Sequence, residues 1–545
     1  MATTYIFAIG GTGARILRPL TMLLAAGCAK SESKNEIVPI IIDYDVTNGD
    51  TERAQKLMEN YARIQKAVHK AGTPETKEVF FSMPMVKIKE KQSQNRFGGG
   101  YKFNPKSRYD VYLDEKSTDI TFAEFLKYSS LGDGTGTKPT RLLLESLYDT
   151  SDEDDPRAEL NLNLSKGFKG CPNIGCIVTR EIKDTPEYKN FAQNFSVQND
   201  KILIIGSIFG GTGASGIPML LDLIRSNNNW AKGNAAVGII AMLPYFKVNE
   251  DENSAISSET FKAKAKAAIS AYELPSSVNS QADAIYYIGD DNMTRPFANH
   301  EGGKEQENYA LFPELAAAME AMDYIGRDRA EVVSMNEAEA FEFGLTDDAP
   351  VTLADPKANA EAGTAETPAL LMEHFFSGAD NDRIINPYIN PLTRLTIFEK
   401  FCKEYLCDNS KWQKNDNWLQ NTDDKEKQAL KDCSEFIKDL GDFAIQMFDW
   451  IKEMAGPQRP LYLYHPEESW EKILHGLTLE VPNLVWRWKK DPLFDSDKIS
   501  VLLGKEFTAT QNEEYAKFPE FLFVKNADAV CDQLLKKIES FKNEK

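Results

Sequence analysis

Lys201-Ile-Leu-Ile-Ile-Gly-Ser-Ile-Phe209, continued by Gly210-Gly-Thr-Gly-Ala-Ser-Gly-Ile-Pro218, is the stretch whose reading decides the fold of this chain. The first segment is a short, β-branched apolar run of the kind a parallel strand buried on both faces requires, and Ile217–Ile224 continues with helix-like apolar residues. The glycines between them therefore form a strand-to-helix turn. Pro218 suits the first turn of the helix, where its missing N–H breaks no intrahelical bond, and Ser215 or Gly216 can cap it. Gly210, Gly211, Gly213 and Gly216 allow positive φ and close backbone approach, which leaves several N–H groups pointing outward. An oxyanion is their natural partner. The helix N-terminus adds the equivalent of roughly half a positive charge, so a di- or triphosphate is favoured over a neutral ligand.

The N-terminus repeats this arrangement. Tyr5-Ile-Phe-Ala-Ile9 reads as a strand, Gly10, Gly11 and Gly13 as the turn, and Ala14–Leu24 as an apolar helix that contains Pro19. Arg15 and Arg18 fall in its first turns, within reach of the same anion. Two common phosphate motifs fail on spacing. A dinucleotide fingerprint needs Gly or Ala where Ile16 stands, and a Walker A loop needs Gly-Lys-Ser/Thr, which neither loop carries. The Gly132–Lys138 stretch has the wrong spacing as well.

The Gly-Gly-Thr-Gly-Ala-Ser-Gly loop resembles the GGGTGSG signature loop of the tubulin/FtsZ superfamily, and Gly10–Arg15 is similar to that family's first nucleotide loop. Further segments follow in the family's order. Ile37–Ile42 with Asp43-Tyr-Asp45 resembles the second strand and its acidic loop, near the metal and phosphates. Val237–Phe246 resembles the strand ending in a Pro-aromatic loop near the ribose. Ala282–Ile288 followed by Gly-Asp-Asp-Asn292 resembles the strand and loop whose asparagine reads guanine, and Asn308, ahead of Tyr309–Ala318, matches the asparagine at the start of the central helix. Of two candidates for the third loop, Phe97–Tyr101 and Gly167–Gly175, the second is preferred. It lies at the right distance before the signature strand, with a short helix-like Tyr188–Phe195 between, and resembles what divergent bacterial tubulin-like proteins carry there.

The resemblance implies an α/β fold: a Rossmann-like parallel sheet over residues 1–330, enlarged by insertions at about 51–200. It implies GTP or GDP with Mg²⁺ as ligands. Contacts are expected from Gly10, Gly11, Thr12, Gly13 and Arg15, from Asp43 and Asp45, and from Gly170. The signature loop adds Gly210, Gly211, Thr212, Gly213, Ala214, Ser215 and Gly216, and Asn292 and Asn308 would read the base. An amide offers both a donor and an acceptor, which suits the guanine edge. Taken singly, Asn292 is equally a turn residue, and Asp43 and Asp45 equally cap turns. The resemblance further implies a GTPase that assembles head to tail, one subunit completing the next one's site. The family's catalytic pattern after the central helix cannot be placed, and Asp323, Asp328 and Glu331 are candidates on position alone. The alternative is a non-polymerising guanine-nucleotide switch or scaffold in a multiprotein system.

The rest of the chain departs from the family. Asp149–Pro156 reads as a solvated acidic loop. Residues 331–366 read as a linker rich in Ala, Asp and Glu, and 367–545 as a mostly helical domain that could bind a protein partner. Helical spacing marks Asn390–Leu406, Lys425–Met454 and Ala527–Phe541; Pro460–Tyr464 and Glu520–Val524 look strand-like. The tryptophans, Trp450, Trp470, Trp486 and Trp488 among them, read as core. A net charge of −20 and a pI near 4.9 argue against nucleic acid and anionic membranes as partners and suit a cytoplasmic protein. No apolar run is long enough to span a membrane, and the N-terminal strand, broken at Gly10, is not a signal peptide. Cys171/Cys176 and Cys402/Cys407 share a four-residue spacer, but no histidine accompanies them at zinc-finger spacing. The five histidines form no catalytic spacing.

Overall fold

The computed structural model describes residues 2–28, 35–45, 47–73, 80–88, 120–132, 137–148, 158–251, 254, 256–290, 296–300, 302–306, 308–333, 339–343, 386–407, 433–454 and 517–543. Strand β1 (Thr3–Ile9) leads directly into helix α1 (Gly10–Ala25), β2 (Glu36–Ile42) is followed by α2 (Gly49–Val68), and two short helices, α3 (Pro172–Val178) and α4 (Pro186–Asn194), precede β3 (Lys201–Ser207). Then come α5 (Gly211–Arg225), β4 (Ala236–Met242), β5 (Lys247–Val248), α6 (Phe261–Tyr272), β6 (Ala284–Ile288), β7 (Pro296–Phe297), α7 (Phe312–Gly326) and β8 (Glu339–Phe343). Helices α8 (Asn386–Tyr405), α9 (Ser434–Met454) and α10 (Pro519–Asn543) make up the described C-terminal part.

Six strands form one sheet in the order β2-β1-β3-β4-β6-β8, every pairing parallel. All residues of β1, β2, β3 and β4 are buried, which their continuous apolar sequences require of strands covered on both faces. Phe7 pairs with Ile40 on one side and Ile204 on the other, so β1 is central. The chain leaves β1 for β2 in one direction and returns to β3 in the other. The crevice beyond the carboxyl ends of β1 and β3 is therefore the topological switch point, where ligands bind in open parallel sheets. Both glycine loops start there. This is the Rossmann-like, helix-flanked parallel sheet expected from the sequence, with a mostly helical remainder.

The helical remainder is joined to the sheet domain by a continuous core. Phe436, Leu440, Phe443, Met447 and Ile451 recur at helical spacing along α9 and are buried against α2 and α8. The Phe81 and Phe443 rings meet edge to face with centroids 5.1 Å apart, and Phe80 stacks on Phe398 at 5.4 Å. Trp450 is fully buried, as a core residue; the other three tryptophans named lie outside the described residues.

Four local expectations need correction. Glu520–Val524 is the first turn of α10, not a strand: Phe521, Val524, Ala527, Cys531 and Leu534 form one buried helical face, which a five-residue apolar run cannot disclose alone. Glu339–Phe343, assigned to a linker, is the sixth strand, paired from Ala284↔Glu339 to Ile288↔Phe343. Helix α5 begins at Gly211 with Gly210 as its N-cap, so Pro218 sits inside the helix rather than in its first turn, and neither Ser215 nor Gly216 is the cap. Helix α7 begins at Phe312, four residues after Asn308. Asn292, Phe97–Tyr101, Asp149–Pro156 and Pro460–Tyr464 lie outside the described residues.

Candidate functional site

Because α1 starts at Gly10 and α5 at Gly211, the glycines are themselves the first helical turns, and both sets of orphan N–H groups face the same crevice. An open cleft lies there, about 1080 Å³ with its mouth included. Gly10, Gly11, Thr12, Gly210, Gly211, Thr212 and Gly213 line it, together with Gly167–Gly170. The loops are packed to contact. A Cβ on Gly10, whose φ is +67°, would lie 3.3 Å from Thr212 Cβ, and one on Gly211 would lie 2.9 Å from the Gly170 N and 3.2 Å from the Cys171 N. Gly167, Lys169 and Gly170 all have positive φ, which turns this third loop sharply around the N-terminus of α5. The preferred third-loop segment thus reaches the cleft.

Gly13 and Gly216 serve packing, and Gly213 does so as well as lining the cleft. Gly13 lies against β1, where a Cβ would stand 2.6 Å from the Ala8 carbonyl carbon, and Gly216 against Ile9 at 2.7 Å. Gly213 abuts the Ser207 backbone, with its N 2.7 Å from a Cβ position. Ser215 is fully buried and donates to Gly211 O at 2.9 Å and Thr212 O at 3.1 Å. Gly13, Ala214, Ser215 and Gly216 do not line the cleft. They hold helix to sheet.

Beside the N-terminus of α1 the cleft is rich in amides and carboxylates, Asn48 Nδ2 lying 3.4 Å from a Cβ on Gly11. Asn48 caps α2 through its side-chain oxygen, accepting from the Asp50 and Thr51 N–H groups, and gives its amide to Gln306 at 2.8 Å. Asp50, 1% exposed, takes the Asn308 N–H at 3.3 Å and pairs with Arg53, which also donates to Asn308 O at 2.8 Å. Burial raises the Asp50 pKa, opposed by Arg15 and Arg53. Asn308, Asp43 and Asp45 line the cleft. Asp45 is committed to its loop, accepting from Thr47 N, Thr47 Oγ1 and Gly303 N. Asp43 accepts from Asp45 N at 3.1 Å and Thr51 Oγ1 at 3.4 Å. Mg²⁺ in phosphate sites takes one or two carboxylates and completes its shell with water and phosphate. Asp43 fits as such a ligand, whereas Asp45 is occupied by three donors. No group of three metal-ligating side chains occurs among the described residues.

Arg15 lines the cleft yet is only 3% exposed. It forms an ion pair with Glu314, donates to Tyr309 O at 2.7 Å, and its guanidinium carbon stands 5.7 and 5.5 Å from the Phe246 and Phe297 rings. Burial opposes its charge, but Glu314, Tyr245, Asp50 and Glu453 together raise its pKa, so it is a fixed cation. Arg18 turns away from the cleft to Glu453 of α9, at 2.7 and 3.2 Å. In the last turn of the central helix Asp323 accepts from Tyr286 Oη at 2.9 Å and Arg327 Nε at 2.7 Å, and after it Asp328 accepts the Ala330 N–H at 2.7 Å.

Sequence reasoning missed several lining residues. Lys264 sits in Phe261-Lys-Ala-Lys-Ala-Lys266, which reads as a solvated helix face, and nothing in its spacing separates the residue that faces inward. Asn48 was findable as an N-cap ahead of Gly-Asp-Thr-Glu. Gln306 reaches the cleft from a loop, where periodicity carries no signal, whereas Phe246 lines it at the end of the Pro-aromatic loop named from the sequence.

No protein-family model matches the chain, and no curated protein does. Among solved structures it is similar to CetZ2 from Haloferax volcanii, described as a GTPγS-bound protofilament, with 11% identity and a TM-score of 0.29. The match covers 62% of this chain and 64% of that chain, under two thirds of either. A likeness at that level leaves the fold resting on the sheet order given above.

Proposed function

We propose that this chain is a tubulin-like guanine-nucleotide-binding protein whose cleft cradles a di- or triphosphate. The observation that carries this reading is the convergence of two helix N-termini, those of α1 and α5, with the positive-φ Gly167–Gly170 loop on one crevice at the sheet's switch point. Backbone N–H groups and helix dipoles so arranged favour phosphoryl oxygens over neutral groups. Asp43 would hold Mg²⁺, which when bound offsets the phosphate charge. Asn308, held in the cleft by Asp50 and Arg53, supports a base edge, with Asn292 as the second amide implied by the sequence resemblance.

Hydrolysis of GTP follows as a proposal from the same resemblance, with a catalytic group from the neighbouring subunit of a head-to-tail assembly. A second reading, a guanine-nucleotide switch without turnover, is favoured by one feature. Asp323 and Asp328, two of the candidate acids at and after the end of the central helix, are engaged within the chain. Chromatographic identification of nucleotide released from purified protein, followed by GTPase assays over a range of protein concentrations, tests both. Bound GTP or GDP with activity rising faster than linearly supports assembly-coupled hydrolysis. Guanine nucleotide without turnover supports the switch, and an adenine cofactor, or no binding at saturating GTP, overturns the guanine assignment.

A further inference from the structure

The Lys264 ammonium is a cation of the cleft for which the reading above supplies no task. It stands in the first turn of α6, half-buried, and makes no hydrogen bond or ion pair among the described residues. A Cβ on Gly170 would come within 3.0 Å of its Nζ, so the amine rests against the third glycine loop. Burial lowers its pKa, with the Cys171 thiol the only counter-influence. A half-buried charge without a counter-ion is unfavourable, and an anion in the cleft relieves it.

Its place along the cleft is set by a row of close approaches. Asn308 N–H meets Asp50, and Asp50 N–H meets Asn48 at 2.9 Å. Asn48 Nδ2 lies 3.4 Å from a Cβ on Gly11; next come Gly10 against Thr212, Gly211 against Gly170, and finally Gly170 against Lys264. The row begins at Asn308, whose side-chain amide suits a base edge, passes the helix N-termini, and ends at a lysine. A nucleotide laid along it places its base at the first end and its last phosphate at the other. Resting on the proposed function, we infer that Lys264 reads the terminal phosphate of a nucleoside triphosphate and so sets the preference of this site for the triphosphate over the diphosphate. The diphosphate ends at the helix N-termini and leaves the ammonium unpaired. The third phosphate gives it a charge-assisted partner and ties α6 to the Gly167–Cys171 loop.

The test is equilibrium titration of the full chain with GDP and with GTPγS, for the unaltered protein, Lys264→Gln, Lys264→Ala and Lys264→Arg, each first checked by a thermal melt without ligand. A charge-assisted contact of about 1.5–3 kcal/mol corresponds to a loss of roughly 10- to 100-fold. That loss is expected for GTPγS with the Gln and Ala variants, with GDP affinity changed less than about twofold and Lys264→Arg retaining most of the preference. Equal losses for both nucleotides, or unchanged GTPγS affinity in a folded variant, overturn the assignment of Lys264 and leave the nucleotide site standing. Failure of the unaltered protein to bind either nucleotide overturns the proposed function and this inference together.

Discussion

At the residue scale, two glycines two positions apart carry opposite burdens. Gly211 faces the cleft, where a Cβ would press on the Gly170 N at 2.9 Å and Phe168 Cβ at 3.0 Å, so a side chain there displaces the third loop. Gly213 faces the sheet, where the obstacle is the Ser207 main chain of β3, which cannot move without disturbing the sheet's central pairings. Gly211→Val is therefore expected to weaken nucleotide binding at least about tenfold while the protein stays folded, because the strained loop lies at the surface of the core. Gly213→Ala is expected to cost about 2–4 kcal/mol of stability, since overpacking against backbone has no cheap relief. Nucleotide titration and denaturant unfolding of both variants separate the two. A folded Gly211→Val protein with unchanged affinity would refute the phosphate cradle.

At the element scale, the C-terminal end of α7 is held by another strand. Lys201 of β3 donates from Nζ to the carbonyls of Tyr324 and Ile325, each at 2.8 Å, and of Arg327 at 2.6 Å, so a buried ammonium adds to the Arg327 N–H, which itself reaches the Tyr324 carbonyl at 3.3 Å, in closing the end of the helix. Lys201→Met should take the ammonium donor from the Ile325 and Arg327 carbonyls and cost about 1–3 kcal/mol, read as a lowered unfolding midpoint with faster amide exchange near residue 325. On the same helix Glu320 has its pKa raised from 4.5 to about 7, chiefly by burial and then by Asp323, against Arg327. The folded-state value lies above the unfolded one. Its contribution to stability is therefore complete below about pH 4.5 and is lost as pH rises through 7. Glu320→Gln removes that dependence, so its stability relative to the unaltered protein should improve from pH 5 to about pH 7 and level off above that. Elements of this kind were legible in outline. Strands β1, β2, β3 and β4 announce themselves because burial on both faces demands uninterrupted apolar sequence. The starts of α1 and α5 do not, because a glycine run is equally compatible with a loop and with a helical first turn, and only the neighbouring loop's contacts select the latter.

At the scale of the whole molecule, chemistry in the cleft was legible where it resides in backbone, as in the two glycine loops. It was hidden where it resides in side chains brought from afar: Lys264 and Gln306 reach the cleft by topology rather than by any local pattern. The same holds for the link between sheet domain and C-terminal helices. Glu453, near the end of α9, accepts from Arg18 at 2.7 Å, from Arg53 at 2.9 Å and from the Ala310 N–H at 3.0 Å, two residues beyond Asn308. Arg53 in turn holds Asn308 O and Asp50. One carboxylate of the helical part thus fixes the amide end of the cleft. Its side chain is 15% exposed and that of Arg18 7%, so removing it strands the buried Arg18 guanidinium and takes from Arg53 one of its two carboxylates. Arg63 and Asp439 bridge the same two parts at the surface, with the Arg63 side chain 52% exposed, and supply an internal control. Glu453→Ala should lower stability by about 1–3 kcal/mol and also weaken nucleotide binding several-fold, because Asn308 loses its bracing. Arg63→Ala should change stability by no more than about 1 kcal/mol and leave affinity unaltered. Were Glu453→Ala to cost stability without touching nucleotide affinity, the helical part would be a support for the sheet domain alone; loss of both together would make it part of the machinery that positions the base.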